Sequence, residues 1–550
     1  MIMNVNQHLS SVVRGKFILV GLLLTSIPVS LTSQTPAAFD PIIERIRAIG
    51  MDSSNTERLA HQLFDSIGPR LTGSPDAKRG NDWLVQTYKS WGIDAKNEQY
   101  GTWRGWRRGY SHIDLVYPRV RSLEGTMLGY SPGTNKKDLT ATAIILPRFA
   151  DSTEFVKWLP NARGKFVLVA APQPTCRPTE DWQQNATPES KARMDSMRAA
   201  VRAEWGSRNV RGTGYSLAIG SGELGLRLEQ AGVAGVITSR PKDAWGTIEI
   251  FETYNLKAPA IALSCEDYGL VFRLTQDGQR PRITMNLDAQ LLGEQPSYNT
   301  VAMIRGSEKP DEYVVLSAHF DSWDGSSGAT DNGTGTLTMM EAMRILKKVY
   351  PRPKRTIIAG HWTGEEEGEV GSKAFTEDHP EMIKGLQALF NQDNGTGRIV
   401  RIGGAGLPNA AEHISQWLAK IPSDITSKLD FRGAGFPAGG GSDDFSFACY
   451  GTPAIGLGSL SWNYSNYTWH TNRDTYDKIV FDDLKFNATL TAMLAYLASE
   501  DPTMITRERV DLAAAATQAP PTTSGRGNRG RPTTWPECVK APRQTAPRLK

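Results

Sequence analysis

Cysteine is scarce in this chain. Four occur in 550 residues, Cys176, Cys265, Cys449 and Cys538, and no two stand as CxxC. That spacing excludes a thiolate zinc site and a dense disulfide framework. Isolated thiols are the favoured expectation, with one disulfide left open. A dominant charge sign is also missing: 62 Lys and Arg against 58 Asp and Glu leave a net +4. So small an excess points away from nucleic acid as a partner. The apolar run "FILVGLLLTSIPVSL" at 17–31 falls short of the ~20 residues that span a bilayer, and Pro28 interrupts it. Arg14 and Lys16 precede it, and the small residues Ser30, Thr32 and Ser33 lie at its end. Together these predict a signal peptide over 1–33 and an exported, periplasmic or extracellular chain with no stable membrane span after cleavage. No internal repeat is present.

What is there is globular in character, 39% hydrophobic and 22% charged, and long enough for two or three domains. Residues 40–84 carry apolar positions at spacings of three and four, as in "PIIERIRAIG" and "NTERLAHQLFDSIG", which predicts helices. "GPRLTGSP" reads as a loop of turn formers. Short β-like runs are expected over 110–129, then strands at "GKFVLVAAP" and "GVITS" with helices between. Residues 121–292 hold few clustered ionisable groups and read as an inserted domain of mixed β and α.

From Ser297 strands and helices alternate: "EYVVLSAHF", "GTLTMMEAMRILKKVY", "RTIIAGHW", "SKAFTEDHPEMIKG", "LQALFNQD", "NAAEHISQWLAKI", "PAIGLGS" and "FDDLKFNATLTAMLAYLASE". This predicts an α/β layered domain with a mainly parallel, mixed sheet sandwiched by helices, built from residues 40–120 and 293–510. After Asp511 the composition turns to Ala, Pro, Thr, Gly and Arg, so 511–550 is expected to be a disordered basic tail.

Sites in open α/β sheets form at the carboxyl ends of the strands. There the chain places His319 and Asp321 after "EYVVLSA", Asp331 in "GATDNGTG", Glu365 and Glu366 after "RTIIAGHW", Asp393 after "LQALFNQ", and His470 and Asp474 in "WHTNRDTYDK". Each alone has an ordinary explanation: a surface loop, a solvated face or a helix N-cap. Their joint order at successive strand ends is specific. Imidazole and carboxylate without thiolate suit Zn²⁺, with Mn²⁺ or Co²⁺ also compatible. Two histidines and three carboxylates exceed one catalytic zinc site and fit two metals sharing a carboxylate. A further unligated carboxylate would then take a proton from the attacking water.

"AHFDSWDGSSGATDNGTG", "WTGEEEGEVGS", "FNQDNG" and "WHTNRDTYDKI" resemble the motifs of the two-zinc exopeptidases related to aminopeptidase S and glutamate carboxypeptidase. "HFDSWD" and "GGGSDDFSF" are most similar to the carboxypeptidase Q-like branch. "GKFVLVAAP" and "AGVAGVI" give 121–292 the look of a β-rich α+β protease-associated domain. The resemblance covers roughly 41–510. It implies that His319 and His470 each bind one zinc, Asp331 bridges, Glu366 and Asp393 complete the two sites, and Glu365 is the general base. By resemblance Asp321 orients His319, Asp474 is expected to do the same near His470, and Tyr464 or Tyr467 steadies the tetrahedral intermediate. Ser442 and Asp443 of "GGGSDDF" are candidates to shape the substrate pocket.

The implied reaction is hydrolysis of terminal bonds in peptides or dipeptides. Amino-, carboxy- and dipeptidase specificity stay open, as does a homodimer. Three rivals remain: a glutaminyl cyclase-like enzyme with one zinc, a non-catalytic receptor-like binding protein, and a structural or adhesion protein built on the protease-associated insert. His361 and the remaining histidines match no motif and are expected to be structural or superficial, and Glu367 and Glu369 outer or solvated.

Overall fold

The computed structural model describes residues 40–206, 223–518 and 532–545; the expected signal peptide, 1–33, lies outside them. Helices begin where the sequence supplies caps. Asp40 accepts from the Ile42 N–H at 2.7 Å ahead of the helix Pro41–Asp52. Ser74 accepts from the Ala77 N–H at 3.0 Å ahead of Pro75–Ser90. In both, proline occupies the first turn, where its missing N–H costs nothing.

The centre is a mixed sheet of 12 strands. Ala454–Gly456, Leu386–Asn391, Lys309–His319 and Arg355–Trp362 lie side by side and parallel. Arg282–Ile304 joins the last of these antiparallel. Beyond it run Leu139–Ile145, Phe166–Leu168, Gly235–Thr238 and Ala260–Leu263, parallel to one another. Arg355–Trp362 and Leu386–Asn391 are buried at every residue, which is why they read as continuous apolar runs rather than alternating ones. Val314, Leu316 and Ala318 face the helices Thr334–Val349 and Phe481–Glu500, while Val315, Ile358 and Leu389 face Phe375 and Phe447 on the other side. The expected helix–sheet–helix sandwich is therefore present, and the strands of 121–292 extend the same sheet.

Three expectations change. The short runs expected around 110–129 are preceded by one 24-residue strand, Asp94–Tyr117, paired antiparallel with Arg282–Ile304 through several register shifts. Three of the four shifts fall beside Gly101, Gly105 and Gly109 and break the alternation that would announce a long strand. The cysteines are not isolated thiols: Cys176 bonds Cys265 and Cys449 bonds Cys538, each across 89 residues. The tail expected to be disordered forms a helix at Leu512–Gln518 and is anchored over 532–545. There Trp535 meets the Arg509 guanidinium at 4.7 Å, Thr102 N–H donates to the Arg543 carbonyl at 2.9 Å, and Arg543 bonds Glu377 and Asp378, both at 2.8 Å. A covalent tie and one well-placed guanidinium replace the apolar core that the composition could not supply.

A Cys449→Ala, Cys538→Ala double variant should lose about 2–4 kcal/mol of stability. Its 532–545 segment should become the first site of limited proteolysis. Denaturant unfolding and fragment mass together check both outcomes. Among the described residues no helix is long and apolar enough to cross a membrane.

Candidate metal centre

Three neighbouring parallel strands end at one edge of the sheet. His319 is the last residue of Lys309–His319 and lies in register with Trp362. Glu365 and Glu366 follow Trp362 after a turn at Gly364, whose φ of +75° favours glycine. Asp393 follows the end of Leu386–Asn391. Asp331 comes from the turn Ala329–Gly333 that opens the helix Thr334–Val349. Gly328, just before it, must be glycine: its φ is +57° and a Cβ there would lie 2.3 Å from Ser322. His470 follows the short helix Tyr464–Tyr467 with a φ of +59°, a left-handed backbone uncommon for a residue with a side chain. Its carbonyl accepts from Ile250 N–H at 2.7 Å, and its ring stands 4.9 Å from Phe251.

The five expected ligands converge. His319 Nε2 lies 3.2 Å from Asp393 Oδ1 and 3.5 Å from Asp331 Oδ1. His470 Nε2 lies 3.0 Å from Glu366 Oε2 and 3.4 Å from Asp331 Oδ2. Two ligand groups result, His319 with Asp331 and Asp393, and Asp331 with Glu366 and His470; within each, the donor atoms lie within 4.8 Å of one another. Asp331 is common to both. Glu365 is in neither, although its Oε2 comes to 4.0 Å from His319 Nε2.

The Asp321 carboxylate, expected to orient His319, is engaged elsewhere. The His319 Nδ1 contact is with the Asp321 backbone carbonyl, at 3.1 Å, while the Asp321 carboxylate lies at 3.7 Å. That carboxylate accepts the N–H groups of Glu365 and Glu366, each at 3.3 Å. Asp474, expected beside His470, instead accepts from Thr330 N–H at 2.8 Å and Asp331 N–H at 3.0 Å, holding the turn that carries Asp331.

Sequence reasoning missed Arg70 and Thr72, which it read as turn formers. Arg70 is fully buried. It donates to the carbonyls of Phe320 at 2.7 Å, Gly68 at 3.0 Å, Ser327 at 2.7 Å and Gly328 at 2.8 Å. The Thr72 hydroxyl donates to Asp321 Oδ2 and accepts from Gly364 N–H, both at 3.1 Å. A charged residue inside an otherwise small and turn-prone loop was the available signal.

The donor set suits metal cations. Burial first, then Asp331 and other carboxylates nearby, raises Glu366 well above the usual carboxylate range. Burial also raises Glu365, with Asp393, Asp443 and Glu366 adding to the effect. Burial pushes His470 down to about 4, so its imidazole is neutral at pH 7 with a lone pair for coordination. Asp331 Oδ2 and Glu366 Oε1 are buried without a hydrogen-bond partner. A bound cation would offset the cost of burying such oxygens unpaired.

The two candidate tyrosines separate. Tyr464 is buried, and burial first, then the charges of Asp331 and Asp393, raises its hydroxyl well above the usual tyrosine range. Tyr467 is 37% exposed and sits on the rim of a cleft of about 490 Å³ lined also by Trp245, Trp462, Tyr464 and Thr330. Asp443 is buried and its charge acts on Glu365, and Ser442 accepts from Asn391 Nδ2 at 2.8 Å. His361 is a core residue, as expected, bonded to the Tyr88 hydroxyl at 2.8 Å. Glu367 and Glu369 are engaged rather than solvated: Glu367 accepts from the Tyr130 hydroxyl at 2.6 Å, and Glu369 from Lys373 at 2.9 Å and Gly441 N–H at 2.7 Å.

Comparison with known proteins places the chain among peptidase relatives. Residues 299–495 match Peptidase family M28. Carboxypeptidase Q of Bos taurus is 26% identical over 452 residues, 82% of this chain and 86% of that protein. A Peptidase M28 precursor from Shewanella amazonensis shares the fold with a TM-score of 0.61 and 24% identity, across 84% of this chain and 97% of its own. A zinc aminopeptidase from Bacillus subtilis does so with a TM-score of 0.53 and 19% identity, across 83% and 97%.

Proposed function

We propose that this relative of the M28 peptidases is an exported metallo-exopeptidase that hydrolyses terminal bonds of peptides or dipeptides, with Glu365 as general base. One observation carries the reading: two ligand groups share Asp331, and a buried carboxylate, Glu365, stands beside them in neither. Zinc ions, one held by His319, Asp331 and Asp393 and one by Asp331, Glu366 and His470, would polarise the scissile carbonyl and acidify the attacking water.

The chain's own groups do the rest. Glu365 accepts the proton of the attacking water on a carboxylate oxygen and returns it to the nitrogen of the leaving amine. The Tyr464 hydroxyl donates to the oxygen on which negative charge develops. Asp321 fixes His319 through its carbonyl and the Glu365–Glu366 turn through its carboxylate. Trp245, Trp462 and Tyr467 line a cleft with room for a substrate side chain. The two disulfides support export, because such bonds persist in oxidising compartments. In this reading residues 121–292 are a protease-associated insert between the two parts of the peptidase domain.

Metal analysis and a peptide panel test the proposal together. The purified chain should hold two zinc ions, and chelation should abolish hydrolysis of free di- and tripeptides. N-blocked and C-blocked members of the panel then report which terminus is read. A chain with no zinc and no action on any peptide overturns the proposal. One zinc with cyclisation of an N-terminal glutaminyl peptide would favour the cyclase rival, against which the completeness of both ligand groups counts.

A further inference from the structure

We propose that Tyr130 is a positioning residue: its hydroxyl, acting through Glu367, holds the turn that carries Glu365 and Glu366. The inference rests on the roles proposed for those two glutamates. It begins with the third carboxylate of the row, which belongs to neither ligand group and meets Tyr130.

The turn at 364–367 is held at every residue, by three different segments. Gly364 N–H rests on the Thr72 hydroxyl at 3.1 Å. Glu365 and Glu366 N–H rest on the Asp321 carboxylate at 3.3 Å each. The Glu367 side chain rests on the Tyr130 hydroxyl at 2.6 Å. Of these anchors only Tyr130 comes from residues 121–292. Its oxygen also lies 2.9 Å from the Thr72 carbonyl. Of the two contacts the one to Glu367 is the shorter.

Tyr130 is itself held rigidly. It is buried, and the Arg104 guanidinium lies 3.9 Å from its ring and 4.0 Å from that of Tyr254. Arg104 also bonds Glu252 at 2.8 Å and the Thr253 carbonyl at 2.7 Å. The backbone of Tyr130 adopts a φ of +60°, which a bulky residue avoids unless its surroundings impose it. An aromatic core residue needs neither a strained backbone nor a carboxylate at its tip. Both features are accounted for if the hydroxyl has to reach Glu367. Residues 121–292 then contribute to turnover without touching the metals, by limiting how far the base and its neighbouring ligand can drift.

Tyr130→Phe removes one oxygen and leaves the packing. It should lower kcat about tenfold or more, as small displacements of catalytic groups do, with KM within about twofold, full zinc content and only a small fall in thermal midpoint for the one buried hydroxyl lost. Glu367→Ala removes the same bond from the other side and should give a similar loss, while Glu367→Gln, which keeps an acceptor, should recover most of it. Hydrogen exchange of the metal-free protein supplies a readout independent of activity. Amides in 363–370 should exchange faster in Tyr130→Phe and in Glu367→Ala, while those of the helix Thr334–Val349 stay as in the parent. Unchanged exchange in 363–370 overturns the inference, as does an unchanged kcat or a kcat loss that disappears when the assay is run well below the thermal midpoint. If the parent chain hydrolyses no peptide, the proposed function fails, and the exchange comparison still decides the role of Tyr130.

Discussion

Glu365→Gln should lower kcat by about 10²- to 10⁴-fold while zinc stays at two per chain. The asymmetry between two adjacent glutamates carries this expectation. Glu366 lies 3.0 Å from His470 within a ligand group, so its replacement should cost metal as well as turnover. Glu365 is outside both groups, and its backbone is held by Asp321 whatever its side chain. Glutamine is nearly isosteric and cannot accept a proton at working pH. The substitution therefore removes the base without emptying the metal sites. Steady-state kinetics and metal analysis on the same sample separate the two effects. Full activity in Glu365→Gln at full zinc would assign the base elsewhere, and loss of zinc would make Glu365 a ligand.

Arg70→Met should lower stability by about 3–5 kcal/mol, the scale of removing a buried charged partner. Four carbonyls from three segments converge on this guanidinium, and in the variant they would be buried without donors. The charge matters too. Burial pushes Arg70 down to about 10, with Asp474, Asp321, Asp331 and Glu366 opposing that shift, so it is a cation at neutral pH among many carboxylates. Arg70→Lys keeps a charge but not the planar fork that reaches all four acceptors, and should recover only part of the loss. Denaturant unfolding of metal-free protein is the measurement. A midpoint equal to that of the parent would remove Arg70 from this structural role.

The contrast between these residues explains what the sequence could convey. His319, Glu365, Glu366 and Asp393 follow apolar runs, and a parallel sheet brings the ends of adjacent strands together, so order along the chain became proximity in space. Asp331 and His470 were readable because they sit in turns beside that edge. Arg70 acts on carbonyls about 250 residues away, and backbone acceptors leave no trace in residue identity. Tyr130 and Asp474 act through loops whose positions depend on the whole sheet. The partners among four cysteines cannot be read from spacing alone, and a tail poor in apolar residues gave no hint that one disulfide and Arg543 would fasten it. The long strand Asp94–Tyr117 was hidden by its own glycines.

The two disulfides also alter what an intact molecule means. Each closes a loop of chain, from Cys176 to Cys265 and from Cys449 to Cys538. A protease that cuts once inside either loop produces two polypeptides but still one covalent particle. Such a nicked species would migrate as a single band without reductant and as two fragments with it. The second loop contains His470 and the helix Phe481–Glu500, so a cut there could stop turnover while leaving the mass of the particle, apart from one added water, unchanged.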